Sequence, residues 1–285
     1  MEQEKEGLRE IIRDINNKNI FNFLTDEGLL PNYAFPEAGV TLRSMVLRKL
    51  RPKQGANGKR YEVLTMTYER PSQVAIRELV PSGVFYAEGR RVKVDQIDLK
   101  LSEPQEWRIC RSCSYATESF QPEAHQKTCP RCNDTLWSDK GRLRTMLRLR
   151  QVMATTADQT SRLTDDSEDR KIEFFEKQLL VDFLPEFREQ TFLINHPEFP
   201  FGFEYISRTK FREINLGESL STGETVEIAG KKFTTKGFTV CRSCGKVIDR
   251  NKDHTQNHAI SCQWRDKPDQ VKTIEVLYLY REFES

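Results

Sequence analysis

The sequence has no long apolar run. None of its 285 residues lies in a stretch approaching the roughly 18–20 consecutive apolar residues that a membrane-spanning helix needs. The first ten, MEQEKEGLRE, are rich in acids and do not form a basic, then apolar, leader. Neither membrane insertion nor secretion is expected. An excess of charge is missing too: 45 Lys and Arg against 43 Asp and Glu leave a formal charge of +2, so any surface for a polyanion has to be local. Nucleotide-handling motifs are also lacking. There is no GxxxxGK[ST], and GANGKR, from Gly55 to Arg60, has neither the spacing nor the hydroxyl residue that would hold magnesium. With no GxGxxG after a strand, no GxSxG and no HExxH, the chain carries no recognisable engine for ATP hydrolysis or metal-centred catalysis. CPRC resembles half of a zinc deaminase motif, but its HxE partner is absent. DDSEDRK, from Asp165 to Lys171, lacks the alternating ligands of a calcium loop and reads as a solvated loop.

What is present describes a folded chain, with 37% hydrophobic and 31% charged residues in a length that suits one large domain or two to three small ones. Leu8, Ile11, Ile12 and Ile15 recur at helical spacing, which predicts a helix that, with the proline-bearing LLPNYAFPEAG, makes a segment over 1–38. Over 39–105, VTLRSMVLRKL and YEVLTMTY flank RPKQGANGKR, the pattern of a hairpin. A short helix follows over 72–79, with Ser72 at the capping position after Pro71. GVFYAEGRRVKVDQIDL reads as two strands turned at Glu88 and Gly89. Strand spacing predicts a small β-barrel-like region or a sandwich here. RLRTMLRLRQVMA alternates only partly, with Leu143, Met146, Leu149 and Val152 out of strict register. TFLINH, FGFEYISRTKF and TVEIAGKKFTTKGFTV are β-like, and the chain ends in the apolar strand of VKTIEVLYLYREFES, which carries the expectation that it is cut from something longer. The expected fold class is α+β, mostly β, without fixed-period repeats.

Seven cysteines cannot all pair as disulfides. Cys110-x2-Cys113, fifteen residues, then Cys129-x2-Cys132 form two knuckles able to meet at one tetrahedral centre, the pattern of a zinc ribbon over 106–140. His125 lies in the intervening loop and is read as exposed, since four sulfurs complete the shell. Cys241-x2-Cys244 is followed after thirteen residues by His258-x3-Cys262. Three cysteines need a histidine to complete four ligands; His258, four residues before Cys262, is favoured over His254, eight before it. Two zinc ions per chain are expected, in a reducing, cytoplasmic setting. Charge is concentrated locally. Thr41 to Arg60 holds Arg43, Arg48, Lys49, Arg51, Lys53, Lys59 and Arg60 with no acid, and Lys140 to Arg150 adds Lys140, Arg142, Arg144, Arg148 and Arg150. Arg43, Arg48, Lys49, Arg51, Lys59, Arg60, Arg144 and Arg148 are the candidate contacts to nucleic acid phosphates. An ordinary solvated strand face is the competing reading.

Several strings together resemble a known family. FLTDEGLLPNYAFPE (Phe23 to Glu37), ERPSQVAIRELVPSGVFYAEGRRVKVD (Glu69 to Asp95), WRICRSCSYA with TCPRC, DDSEDRK, GFEYISRTKFREINLG (Gly202 to Gly217) and GFTVCRSCGKV through LYLYREFES look like the C-terminal part of bacterial superfamily 2 DEAD/DEAH-box helicases with a DUF1998 zinc-binding module. That module is similar to the one in MrfA-type repair helicases and in anti-phage systems of the DISARM and Druantia kind. The resemblance implies a zinc centre at Cys241, Cys244, His258 and Cys262 in a DUF1998-like domain over 141–285, a preceding ribbon at Cys110, Cys113, Cys129 and Cys132, DNA as a partner, and an ATP-driven 3′ to 5′ motor in cis or in trans. Both RecA-like motor domains are missing, so the expectation is a fragment or a split-gene subunit that works with a helicase and other repair or defence subunits. An interaction scaffold without nucleic-acid binding is the alternative.

Overall fold

The computed structural model describes residues 5, 7–9, 12, 13, 39–50, 61–162, 174–195, 201–222, 225–249, 251–268 and 274–284. Strands dominate. In chain order they are β1 (Val40–Lys49), β2 (Tyr61–Arg70), β3 (Val84–Ala87), β4 (Arg90–Lys93), β5 (Gln96–Ile97), β6 (Pro104–Ile109), β7 (Ala116–Glu118), β8 (Leu143–Arg148) and β9 (Gln151–Ala157). There follow β10 (Phe175–Asp182), β11 (Arg188–Ile194), β12 (Phe201–Ile206), β13 (Lys210–Glu218), β14 (Thr225–Ile228), β15 (Lys231–Thr234), β16 (Phe238–Cys241) and β17 (Ile274–Glu284). Helices α1 (Ser72–Glu78) and α2 (Asp158–Ser161) are short. The chain forms two compact units, each assembled from three separate stretches. The first takes Met1–Pro104, Leu147–Phe174 and Gly237–Leu279; the second takes Gln105–Met146, Phe175–Lys236 and Tyr280–Ser285. Residues 106–140 thus fall wholly in the second unit, whereas 141–285 is divided between the two.

In the first unit the sheet order is β2-β1-β9-β5. β1 and β2 pair antiparallel from Val40↔Arg70 to Lys49↔Tyr61, the expected hairpin, while its loop lies outside the described residues. Val40, Leu42, Ser44 and Val46 alternate onto one buried face of β1. The partner on the other side of β1 is unexpected: β9 runs parallel to it, from Thr41↔Gln151 to Leu47↔Ala157. This explains the imperfect alternation of RLRTMLRLRQVMA. The run is two strands, β8 and β9, that belong to different sheets, with a break at Leu149 and Arg150. No strand closes the four-stranded sheet among the described residues, so the barrel-like expectation is replaced by an open sheet. β3 and β4 form a separate ribbon instead of joining it.

Local readings fared better. The ribbon turns at Glu88 (φ 50°) and Gly89 (φ 69°), the pair of left-handed residues of a tight hairpin. Helix α1 lies where expected, but Pro71 occupies the cap position without a side-chain capping hydrogen bond, and Ser72 is the first, buried residue of the helix. Its buried apolar side chains, Ala75 and Ile76, join Leu79, Val80, Phe85, Val92 and Ile97 in the core. The described N-terminal residues 5, 7–9, 12 and 13 are helical; Leu8 and Ile12 are exposed, and Ile11 and Ile15 lie outside the described set.

Strands β10, β13, β17, β8, β6 and β7 are hydrogen-bonded in that order, β16 pairs with β17, and the second unit also holds two ribbons, β11–β12 and β14–β15. Trp107, Ile109, Met146, Leu180, Ile214 and Leu216 fill its core. Trp107 packs against Tyr280 with ring centroids 5.3 Å apart, and the Arg212 guanidinium stacks 4.7 Å over the same indole while pairing with Glu282.

Charge in the first unit converges on Asp158, at the start of α2. Arg90 and Arg162 reach its carboxylate at 2.6 and 2.8 Å and Arg48 at 3.6 Å. The hydrogen bond from Arg90, then that from Arg162, holds the Asp158 carboxyl below the usual carboxylate range against the opposing effect of burial. A lowered folded pKa means the stabilisation is full above the unfolded value of about 3.9 and is lost as pH falls through the folded value. Asp158→Asn should therefore destabilise the chain by about 2–3 kcal/mol near neutrality. In urea unfolding curves the gap to the unaltered chain should narrow progressively below about pH 4; a gap independent of pH would refute this role.

Candidate metal centres

The first cluster belongs to the second unit. β6 delivers Cys110 at its end, and the chain turns back through Cys113 into β7; the Cys110 N–H donates to the Tyr115 carbonyl and the Ser112 N–H to the Cys110 sulfur. The second knuckle repeats the motif, with the Cys129 N–H on the Asp134 carbonyl and Asn133 in a left-handed conformation (φ 60°). Sγ of Cys110 lies 3.6 Å from that of Cys132, and Sγ of Cys113 lies 3.7 Å from that of Cys129. All four sulfurs are within 4.8 Å of one another. A disulfide needs about 2.05 Å, whereas four thiolates about 2.3 Å from a tetrahedral zinc are about 3.8 Å apart. The cluster has the dimensions of a zinc shell. All seven cysteines are free thiols.

Beneath it, Trp137 is buried against Cys110 and Cys129, with Tyr115 tilted at 5.5 Å. The indole N–H donates to the Glu123 carbonyl at 3.1 Å. Asp134 ties the two knuckles together, accepting from Arg111 Nε and Ser112 Oγ, each at 2.8 Å, and from the Leu136 N–H. Burial pushes its carboxyl upward, but these donors outweigh burial and hold it at about 2. His125 is exposed and outside the cluster, as expected.

The second cluster lies in the first unit. β16 ends at Cys241, whose N–H donates to the Lys246 carbonyl, and the knuckle turns through Cys244 and Gly245. A short turn, His254–Asn257, then presents His258 and Cys262. Cys241 and Cys262 sulfurs are 3.8 Å apart, and His258 Nδ1 is 3.5 Å from the Cys262 sulfur. The latter matches the edge of about 3.6 Å between a nitrogen and a sulfur on one tetrahedral zinc. Cys241, Cys244, His258 and Cys262 group within 4.8 Å. His254 is engaged elsewhere: its Nε2 sits 2.9 Å from the Trp264 carbonyl and its ring packs on His258 at 4.5 Å. Asn257 braces the approach, its amide bonding both backbone groups of Asp249 at 3.0 Å.

This knuckle is fastened to a distant strand. The Gln96 side chain donates to the Cys244 carbonyl at 2.8 Å, the Ile97 N–H to the Gly245 carbonyl at 2.9 Å and the Val247 N–H to the Asp95 carbonyl at 2.9 Å. Lys246 Nζ adds an ion pair to Asp95 at 2.9 Å, which opposes the upward push of burial on that carboxyl. Gly245 has no substitute here. Its φ is +71°, and a Cβ would sit 1.9 Å from the Ile97 carbonyl oxygen.

Electrostatics point the same way in both clusters. The Cys110 thiol is pulled down to about 5 by the hydrogen bond from Cys113, whose own thiol is pushed up by the same contact. Cys244 is drawn to about 4 by Cys241, which is pushed up in turn. Burial raises Cys129 to about 11. In the Cys110–Cys113 and Cys241–Cys244 knuckles one sulfur ionises at its neighbour's expense, a competition that a bound divalent cation would remove.

Five of the basic candidates, Arg43, Arg48, Lys49, Arg144 and Arg148, lie among the described residues. Arg43 and Lys49 fall on one face of β1 and Arg48 on the other, because side chains alternate along a strand. Arg43 Nε donates to Gln151 at 2.8 Å, and Arg48 pairs with Glu62 at 3.3 Å as well as with Asp158. Lys49 is exposed. Arg144 belongs to the second unit and donates to the adjacent Leu143 carbonyl; Arg148, near the end of β8, is half-buried. Arg51, Lys59, Arg60 and DDSEDRK lie outside the described residues. No family model matches the chain, and no similar curated protein or solved structure was found.

Asp95, Gln96, Asp134 and Asn257 carried no sequence signal, since none is itself a ligand and each acts through hydrogen bonds or an ion pair to residues in or beside a knuckle. Asp134→Ala is expected to weaken metal affinity at the Cys110 centre by about 10- to 100-fold, with the His258 centre unchanged. Cobalt substitution separates the two in one sample, because four-sulfur and three-sulfur-one-nitrogen shells absorb differently. Gly245→Ala should do the reverse, costing the His258 centre at least about 2 kcal/mol through strain and overlap. Loss of the same centre in both variants would contradict these assignments.

Proposed function

We propose that this chain is a noncatalytic, two-zinc accessory region of an ATP-dependent DNA helicase or translocase, which positions DNA beside the motor or couples the motor to partners in repair or anti-phage defence. The observation that carries the noncatalytic part is the completeness of both shells. Each centre has four protein donors, whereas a catalytic zinc keeps a position for water. Zinc binding in small modules is worth roughly 10–16 kcal/mol, as much as the whole stability of a typical domain at about 5–15 kcal/mol. The zinc ions serve to hold the knuckles and the segments fastened to them. The helicase and DNA parts of the reading rest on the family resemblance of the quoted strings and on the basic runs.

A second reading, a zinc-stabilised interaction scaffold that binds no nucleic acid, is favoured by one observation: Arg43 and Arg48 are already held by Gln151, Glu62 and Asp158. One experiment decides between them. Elemental analysis should return two zinc ions per chain, and DNA should be bound with an affinity that drops about 40-fold for duplex or about 20-fold for single strands when salt rises fourfold, as three neutralised phosphates require. Replacing Arg48, Lys49 and Arg51 by Glu should abolish that binding. DNA binding that is absent, or indifferent to the charge reversal, selects the scaffold; absence of metal removes both readings.

A further inference from the structure

The β11–β12 ribbon of the second unit has a feature that the metal centres and the basic residues leave unused. Its register pairs Gln190↔Tyr205, Phe192↔Phe203 and Ile194↔Phe201, with Thr191↔Glu204 and Leu193↔Gly202 between them. Alternation therefore sorts the side chains onto two faces. One face carries Phe192, Ile194, Phe201, Phe203 and Tyr205 as an unbroken strip with no charge on it. Phe201 and Phe203 meet edge to face with centroids 4.9 Å apart, which places them on the same side. Each of the five is between 54% and 63% exposed. The other face has Thr191, Glu204 and the backbone of Gly202 beneath Leu193. Arg188 closes the base of the ribbon, paired with Glu204 at 3.3 Å.

We infer that this strip is a self-association surface, on which a second copy of the chain seats its own strip face to face about a twofold axis. Aromatic side chains bury about 150–250 Å² each, so the uncovered part of the five comes to roughly 550 Å² per copy. Two strips together remove about 1,100 Å² from water, just past the roughly 1,000 Å² that a specific interface needs. An isolated two-stranded ribbon is marginal in water. Two stacked about 10 Å apart make a small four-stranded sandwich with an apolar interior, and a twofold interface needs only that one patch match itself. Charge argues for this occupant over a polynucleotide. The described ribbon residues hold one arginine and two glutamates, a net −1, and Glu204 points away from the strip, so pairing strips brings no carboxylates together.

Sedimentation equilibrium of the zinc-loaded full chain tests this, from about 1 to 100 μM, where a minimal interface dissociates. The expected result is a reversible monomer–dimer equilibrium that Phe192→Glu with Phe203→Glu weakens at least 100-fold while both zinc ions are retained, and that Thr191→Glu on the opposite face leaves unchanged. In parallel, amide exchange in β11 and β12 of the unaltered chain should slow as concentration rises, a readout that needs no variant to fold. A chain that stays monomeric throughout, a dimer insensitive to the Phe substitutions or equally weakened by Thr191→Glu, or ribbon exchange independent of concentration would overturn the inference.

Discussion

Seven sulfurs and one imidazole nitrogen are packed into two spaces so small that their donors cannot all carry their ligating charge unaided. Within 4.8 Å of one another, the thiols of each cluster compete for ionisation, and Cys110 and Cys244 fall in pKa while Cys113 and Cys241 rise. A tetrahedral dication in each cluster would resolve this and convert repulsion among thiolates into eight ligand bonds. Besides these donors, the loops are held by hydrogen bonds to Asp134 and Gln96 and by the Asp95–Lys246 ion pair. Trp137 is the main apolar support of the first centre, and the knuckles themselves consist of tight turns with few buried side chains.

The two centres constrain the chain on different scales. The first gathers ligands from Cys110 to Cys132, and its bracing residues, Arg108, Arg111, Asp134 and Trp137, come from the same short stretch. It organises its own neighbourhood. The second fastens residues 95–97 to a knuckle about 150 residues further on, through Gln96, Ile97 and Lys246. Closing so long a loop removes chain entropy that local turns never have to overcome. That link, with the parallel pairing of β1 and β9, is what makes the first unit discontinuous in sequence.

The arginines illustrate how little a run of like charge says about a surface. Arg43 and Arg48 sit five residues apart in an acid-free stretch, yet strand alternation sends them to opposite faces, and Gln151, Glu62 and Asp158 arrive from elsewhere to meet them. Asp158 collects three arginines from positions 48, 90 and 162. Within that run Arg48 is held in ion pairs with Glu62 and Asp158, and Arg43 in a hydrogen bond to the neutral Gln151 amide.

What the sequence determined by itself was local chemistry. Two residues between cysteines make a knuckle whatever surrounds it, Glu88 and Gly89 make a hairpin turn by their own backbone preferences, and the three-cysteine remainder calls for a histidine. These features depend on contacts within a few residues, which composition and spacing record. Tertiary structure decided the rest. It set β9 beside β1, split the run from Leu143 to Ala157 between two sheets, assigned His254 to the Trp264 carbonyl and left the aromatic face of β11 and β12 uncovered. Each of those outcomes is a choice among distant partners of similar local character. Alternation shows that a strand has an apolar side, but only the packing of the whole chain determines what, if anything, lies against it.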